Sequence, residues 1–199
     1  MSQNLYRALY LLAFLSLIVL LPIEIFTHYD SQVRQLALTL TNLGTIIILF
    51  IIYRYFKNKH QIALPFYVAW LAALGVWFDA AGNFAHLYAN LLWWDKLSHG
   101  VGSFAMAATI FVILYELNKQ GKIKLGLFSL SVYTVSLTTF IAAIYEVTEY
   151  LGDLMFKTRR IVDLYDTPDD IMWNTIASFL MVCLAYVIIK AKEKKKEIT

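Results

Sequence analysis

Cysteine occurs once in this chain, at Cys183 inside an apolar run. A single cysteine excludes an intramolecular disulfide and any thiolate-based zinc centre, and in an apolar run it reads as a small packed hydrophobe. Charge is also scarce: 16% of residues are charged, against about 25% in ordinary soluble domains. No Pro- or Ser-rich linker and no internal repeat divides the 199 residues, so one domain is expected. Several enzyme signatures are missing. There is no Ser-Gly-His phosphatase stretch, no Asp-Gly-x-x-Ala-Arg run, no His-Glu-x-x-His and no glycine-rich phosphate loop. The basic residues sit in loops and in the tail rather than among aromatics on one face, which argues against nucleic acid as a partner.

What the chain has in quantity is apolar length. It is 60% hydrophobic, with a mean hydropathy of +0.61. A bilayer core of about 30 Å needs roughly 20 apolar residues per helix. Segments at about 8–26, 33–53, 62–80, 97–116, 125–150 and 169–190 meet that test. The expectation is an all-α polytopic membrane protein, six transmembrane helices in one bundle. No small-x-small cleavage site follows the first segment, so it reads as a retained helix rather than a removed signal.

Orientation follows from the basic residues. Twelve of the 17 Lys and Arg lie at the N-terminus, in the 54–60 and 117–124 loops and in the tail. The positive-inside rule then puts both termini in the cytoplasm. Eleven of the 14 acids fall toward the other side, leaving Glu116, Glu193 and Glu197 inside. From Lys124 to Glu146 the helical rise amounts to about 33 Å, which carries Glu146 to the outer interface. Trp77, Trp93, Trp94, Tyr145, Tyr150, Tyr165 and Trp173 cluster at that level, as an interfacial aromatic belt would.

Carboxylates are costly near hydrocarbon, so an acidic cluster beside membrane-length segments marks a candidate site. Asp79, Asn83 and His86 stand at i, i+4 and i+7; Asp95 and His99 at i, i+4; Glu146, Glu149 and Asp153 at i, i+3 and i+7; Asp166, Asp170 and Asn174 at i, i+4 and i+8. Wherever these stretches are helical, each set lines one face, and four such faces at one depth would enclose a polar pocket. Structural roles compete with this reading. Thr167-Pro168-Asp169-Asp170 matches a helix start with Thr167 as N-cap. Asp95 could cap its helix, and Asp153, Asp163, Arg159 and Arg160 could form a solvated loop. Glu146 and Glu149 fit no cap or loop and have apolar neighbours, so a functional role outweighs a structural one for them.

Carboxylates with a histidine suit a divalent metal: zinc, manganese, iron or magnesium. The candidate ligands are Asp95, His99, Glu146, Glu149, Asp166 and Asp170. Without a metal, the same groups could supply general acid–base catalysis through Glu146, Glu149 and His99. Asp79, Asn83, His86, Arg159, Arg160 and Asn174 would contact a substrate, the arginines attracting an anionic phosphate.

The runs Asp95-Lys96-Leu97-Ser98-His99-Gly100, Tyr145-Glu146-Val147-Thr148-Glu149-Tyr150 and Asp163 to Asp170 resemble the YjdF-like bacterial inner-membrane proteins. A looser similarity runs to the VanZ-like proteins, with Asp95, Lys96, His99, Glu146, Arg160, Asp166, Asp170 and Asn174 fitting their pattern and Glu149 standing where that pattern has Gln. The resemblance covers roughly residues 79–180. It implies a prokaryotic inner membrane and an outward-facing polar site, and names no reaction. Three readings stay open: a metal-assisted enzyme acting on a lipid head group or lipid-linked envelope precursor, a cation or proton binding and transport module, and a structural membrane protein. Membrane lipids are the partners in each. Oligomeric state is open too, because the small-x-x-x-small pairs Ser98/Gly102 and Ser103/Ala107 serve packing within one chain as readily as between chains.

Overall fold

The computed structural model describes residues 3–27, 32–56, 65–91, 93–157, 160–161 and 163–198. The described chain is helical: α1 (Gln3–Phe26), α2 (Gln32–Tyr55), α3 (Tyr67–Phe84), the single turn α4 (Leu87–Asn90), α5 (Trp94–Lys119), α6 (Leu127–Phe156) and α7 (Asp166–Ile198). Among the described residues, five helices are long and apolar enough to cross a membrane: α1, α2, α5, α6 and α7. The third expected segment differs from its boundaries. It runs from Tyr67 to Phe84 rather than 62–80, residues 57–64 lie outside the described chain, and Asp79 and Asn83 dilute its apolar character. Its 18 residues span about 27 Å at the helical rise.

α5 is the central helix, packed against α3, α6 and α7, while α1 packs against α2 and α3. Small side chains allow this. Gly75 of α3 lies so close to α5 that a Cβ there would sit 3.6 Å from Gly102 Cα. Ala107, Ala108 and Phe111 of α5 form a core with Leu130 of α6 and Met181 and Val182 of α7. Both small-x-x-x-small pairs of α5 therefore have members packed on helices of the same chain. Leucines, isoleucines and phenylalanines on the outer faces, such as Leu15, Ile18, Phe140 and Leu180, are exposed, as lipid-facing positions require.

Two further boundaries move, and both matter to the site. α6 continues past 150 to Phe156, so Asp153 is helical rather than part of a loop. α7 begins at Asp166 rather than 169, and Asp169 N donates to Tyr165 O at 2.9 Å. Thr167 and Pro168 thus lie inside the first turn, and Thr167 is not the residue that precedes the helix. Pro168 fits there because no intrahelical acceptor awaits its missing N–H. Gly121, at φ +70°, ends α5 with the 2.8 Å bond from Leu125 N to Asn118 Oδ1 fastening the following loop.

Candidate functional site

α5 and α7 begin, and α6 ends, at one end of the bundle. His99 lies one turn into α5, on its inward face, with 10% of its side chain exposed. Its ring stands between two sets of polar atoms. On one side, Nε2 is 3.9 Å from Asp95 Oδ1, one turn back on α5, and 3.6 Å from Asp170 Oδ2 on α7. On the other, Nδ1 is 3.6 Å from Glu146 Oε1 on α6 and 3.3 Å from Asn174 Nδ2. Ser103 Oγ donates to Asn174 Oδ1 at 2.7 Å, fixing that amide from α5.

Contacts of 3.6–3.9 Å are too long for hydrogen bonds. Two ligands of one metal, each about 2.1 Å from it, are separated by about 3 to 4 Å. One ligand atom from each of Asp95, His99 and Asp170 lies within 4.8 Å of the others. Glu146, Glu149, Asp170 and Asn174 are buried. Glu146 Oε1 and Asp170 Oδ1 are sequestered with no hydrogen-bond partner among the described residues. Orphaned buried oxygens of this kind cost stability unless something satisfies them. The donor set, its spacing and the orphaned Asp170 oxygen therefore fit a divalent cation on the Nε2 side of His99. Glu146 is the carboxylate nearest the other ring nitrogen, at 3.6 Å, on the side where a metal-ligating histidine takes its orienting acceptor.

Glu149 is engaged elsewhere: Arg160 Nη2 lies 2.5 Å from its Oε1. The same nitrogen donates to Tyr145 Oη at 2.9 Å, and the guanidinium carbon lies 5.4 Å from the Tyr145 ring centre. Asp153 explains how a loop arginine reaches this position. From the last turns of α6 its Oδ1 accepts from Arg160 N at 2.8 Å and its Oδ2 from Ile161 N at 2.9 Å. Burial alone would weaken the protonated guanidinium, but the facing Tyr145 and Glu149 outweigh it and raise Arg160 above its ordinary value. Arg159 lies outside the described residues.

Asp169, read above as a helix-start acid, pairs with Lys96 of α5. This bridge joins the first turns of the two helices that carry Asp95 and Asp170. Asp166 is half-buried in the same turn.

The α3 residues divide. Asn83 donates to Asp79 O at 3.0 Å, as helical i, i+4 neighbours can. His86 leaves the expected stripe because α3 stops at Phe84. His86 takes a left-handed backbone at φ 53° and is exposed, so a position seven residues on no longer repeats the helical face. The reversal brings α4 back over the site, where Tyr88 donates to Asp79 Oδ1 at 2.6 Å and meets Ser98 Oγ at 2.8 Å. Burial, followed by the Asp79 charge, raises the Tyr88 hydroxyl above its ordinary value, so it remains a donor. Gly82 makes the fold-back possible: a Cβ there would stand 2.1 Å from Trp94 Nε1 and 2.6 Å from the Tyr88 ring. Trp94 stacks on Phe78 with ring centres 4.6 Å apart. Trp94 and Tyr145 are therefore packed within the site, unlike the exposed Trp93, Tyr150, Tyr165 and Trp173.

Residues 9–191 match a family described as Predicted membrane protein (DUF2238). The chain belongs to this family. The match agrees with the YjdF-like resemblance of its motifs and extends beyond it, through α1 and α2. No curated protein and no solved structure matches the chain. Family membership establishes a membrane protein, and any reaction has to be argued from the site.

Two buried groups escaped the motif reading: Glu24, considered only as one of the acids on the outer side, and Asn42. Both are fully buried between α1 and α2. A signal existed for Glu24, which extends the buried stripe of Tyr10, Ala13, Leu17 and Leu20 by one turn. Tyr88 was also missed, because its role depends on the reversal at His86.

Proposed function

We propose that this chain is a multi-pass protein of a prokaryotic inner membrane with a divalent-metal site at its outer face, acting on a lipid head group or lipid-linked envelope precursor. In this reading α3 is the sixth span and both termini are cytoplasmic. The observation that carries the proposal is the convergence of Asp95, His99 and Asp170 from two helices, with orphaned carboxylate oxygens beside them. When bound there, a divalent cation supplies a Lewis acid for a phosphoryl or carbonyl oxygen.

The chain's own residues have separate tasks. Asp95, His99 and Asp170 are the ligands. Glu146, 3.6 Å from Nδ1, is the carboxylate placed to close on that nitrogen and orient the ring when Nε2 holds a cation. Asn174, its amide held by Ser103, packs against the Nδ1 edge of the ring. Arg160 is held by the loop anchor at Asp153 and neutralises Glu149, so the α6 carboxylates do not both act on the same cation. A one-sided site is favoured over a transport path by the other half of the bundle. There Thr134, Thr138 and Ser178 each donate to a carbonyl of their own helix, at 2.8, 2.8 and 2.7 Å, while Thr139 and Thr175 meet across α6 and α7 at 3.4 Å.

The test is reconstitution of the full chain in vesicles that contain glycerophospholipids and a polyprenyl diphosphate. Head-group release is followed by mass spectrometry with and without added zinc, manganese, iron or magnesium. The expected result is metal-dependent turnover of one lipid class that Asp170→Asn abolishes. Equal lipid profiles for the parent chain and Asp170→Asn under every metal would refute the enzymatic reading.

A further inference from the structure

Away from His99, the α1–α2 pair contains a second carboxyl that the proposed function does not use. Glu24 and Asn42 are each 0% exposed. Asn42 Nδ2 donates to Leu17 O at 3.1 Å and to Glu24 Oε2 at 3.2 Å, which occupies both amide hydrogens. Glu24 Oε1 and Asn42 Oδ1 remain sequestered, with no hydrogen-bond partner among the described residues. Two adjoining groups thus each present a buried acceptor and lack a donor, which costs stability until something supplies one.

The nature of the deficit identifies what fills it. A hard metal cation takes about six or more oxygen ligands, and this pair offers two. A proton needs two. α2 supplies Asn42 and also Gln35, whose side chain caps the Glu24, Ile25 and Thr27 carbonyls rather than the carboxyl. From α3 the charged group acting on Glu24 is Asp79, which offers no positive charge.

We propose that Glu24 and Asn42 form a proton-binding site separate from the His99 cluster: one hydrogen on Glu24 Oε1 is donated to Asn42 Oδ1. It closes a two-point acid–amide ring whose other edge is the bond from Asn42 Nδ2 to Glu24 Oε2. Uptake adds one proton to the carboxylate and cancels its charge. Release leaves a bare carboxylate facing an amide oxygen in the interface, which weakens the link between α1 and α2.

The test is infrared difference spectroscopy on the full chain in lipid bilayers at neutral pH, comparing the parent with Glu24→Gln. The parent should show one protonated-carboxyl carbonyl band that moves in deuterium oxide and is lost in the variant. Asn42→Leu, which removes both partners of the carboxyl, should shift that band. Glu24→Gln reproduces both bonds of the ring, so its unfolding temperature should stay within about 2 °C of the parent. Ionised-carboxylate bands in place of the carbonyl band would overturn the proposal. So would failure of the neutral Gln isostere to fold, because the ring needs no charge.

Discussion

The two ends of the α5–α6–α7 bundle use polar residues in opposite ways. At the end where α5 and α7 begin, side chains from three helices face one another: His99 lies 3.6 Å from Asp170 and from Glu146, Ser103 holds Asn174, and Lys96 pairs with Asp169. Deeper in the bundle, Thr134, Thr138 and Ser178 satisfy themselves on their own helices. Polar groups that bond locally stabilise a buried position and leave nothing for a ligand. Groups that reach across helices and still leave orphaned oxygens are incomplete without one.

Substitutions can test this contrast, beginning with the largest effect. Arg160→Ala strands Glu149 in a buried setting and should cost about 3 kcal/mol of stability, because breaking such a pair leaves an uncompensated charge. The double variant with Glu149→Gln should recover most of that loss in detergent unfolding. Next comes Gly82→Ala. The new methyl meets Trp94 and Tyr88, and overpacking of this kind costs about 1–3 kcal/mol. Ala81 is exposed, so Ala81→Ser should leave the unfolding temperature almost unchanged and serve as a control. Lys96→Met should cost less than either Arg160→Ala or Gly82→Ala, since the two side chains of its bridge are 40% and 32% exposed. Smallest is Thr134→Val in the deeper half, expected at under about 0.5 kcal/mol because its hydroxyl bonds only its own helix. A loss at Thr134 as large as that at Arg160 would erase the distinction between the two ends.

The contrast also explains what could be read from sequence. Glu146 and Glu149 stood out because they interrupt an apolar run without capping anything, and helical spacing put Asp166, Asp170 and Asn174 on one face. Periodicity could not tell which carboxylate would face His99 and which would be taken by Arg160, because that depends on a loop folded back by Asp153. The pair Lys96–Asp169 spans 73 positions, and a favourable helix-start motif masked it. His86 left its predicted stripe because spacing presumes that a helix continues, and α3 does not. Glu24 went unassigned because a lone acid near the end of an apolar segment looks like a boundary.

The measurement that bears most directly on the account is metal content by mass spectrometry of the full chain, purified without added metal or chelator, beside His99→Ala and Glu146→Gln. The account predicts close to one divalent metal per chain, lost in His99→Ala and held about 10- to 100-fold more weakly in Glu146→Gln, as expected when an orienting partner rather than a ligand is removed. No metal in the parent chain, even after exposure to zinc, manganese, iron and magnesium in turn, would contradict it.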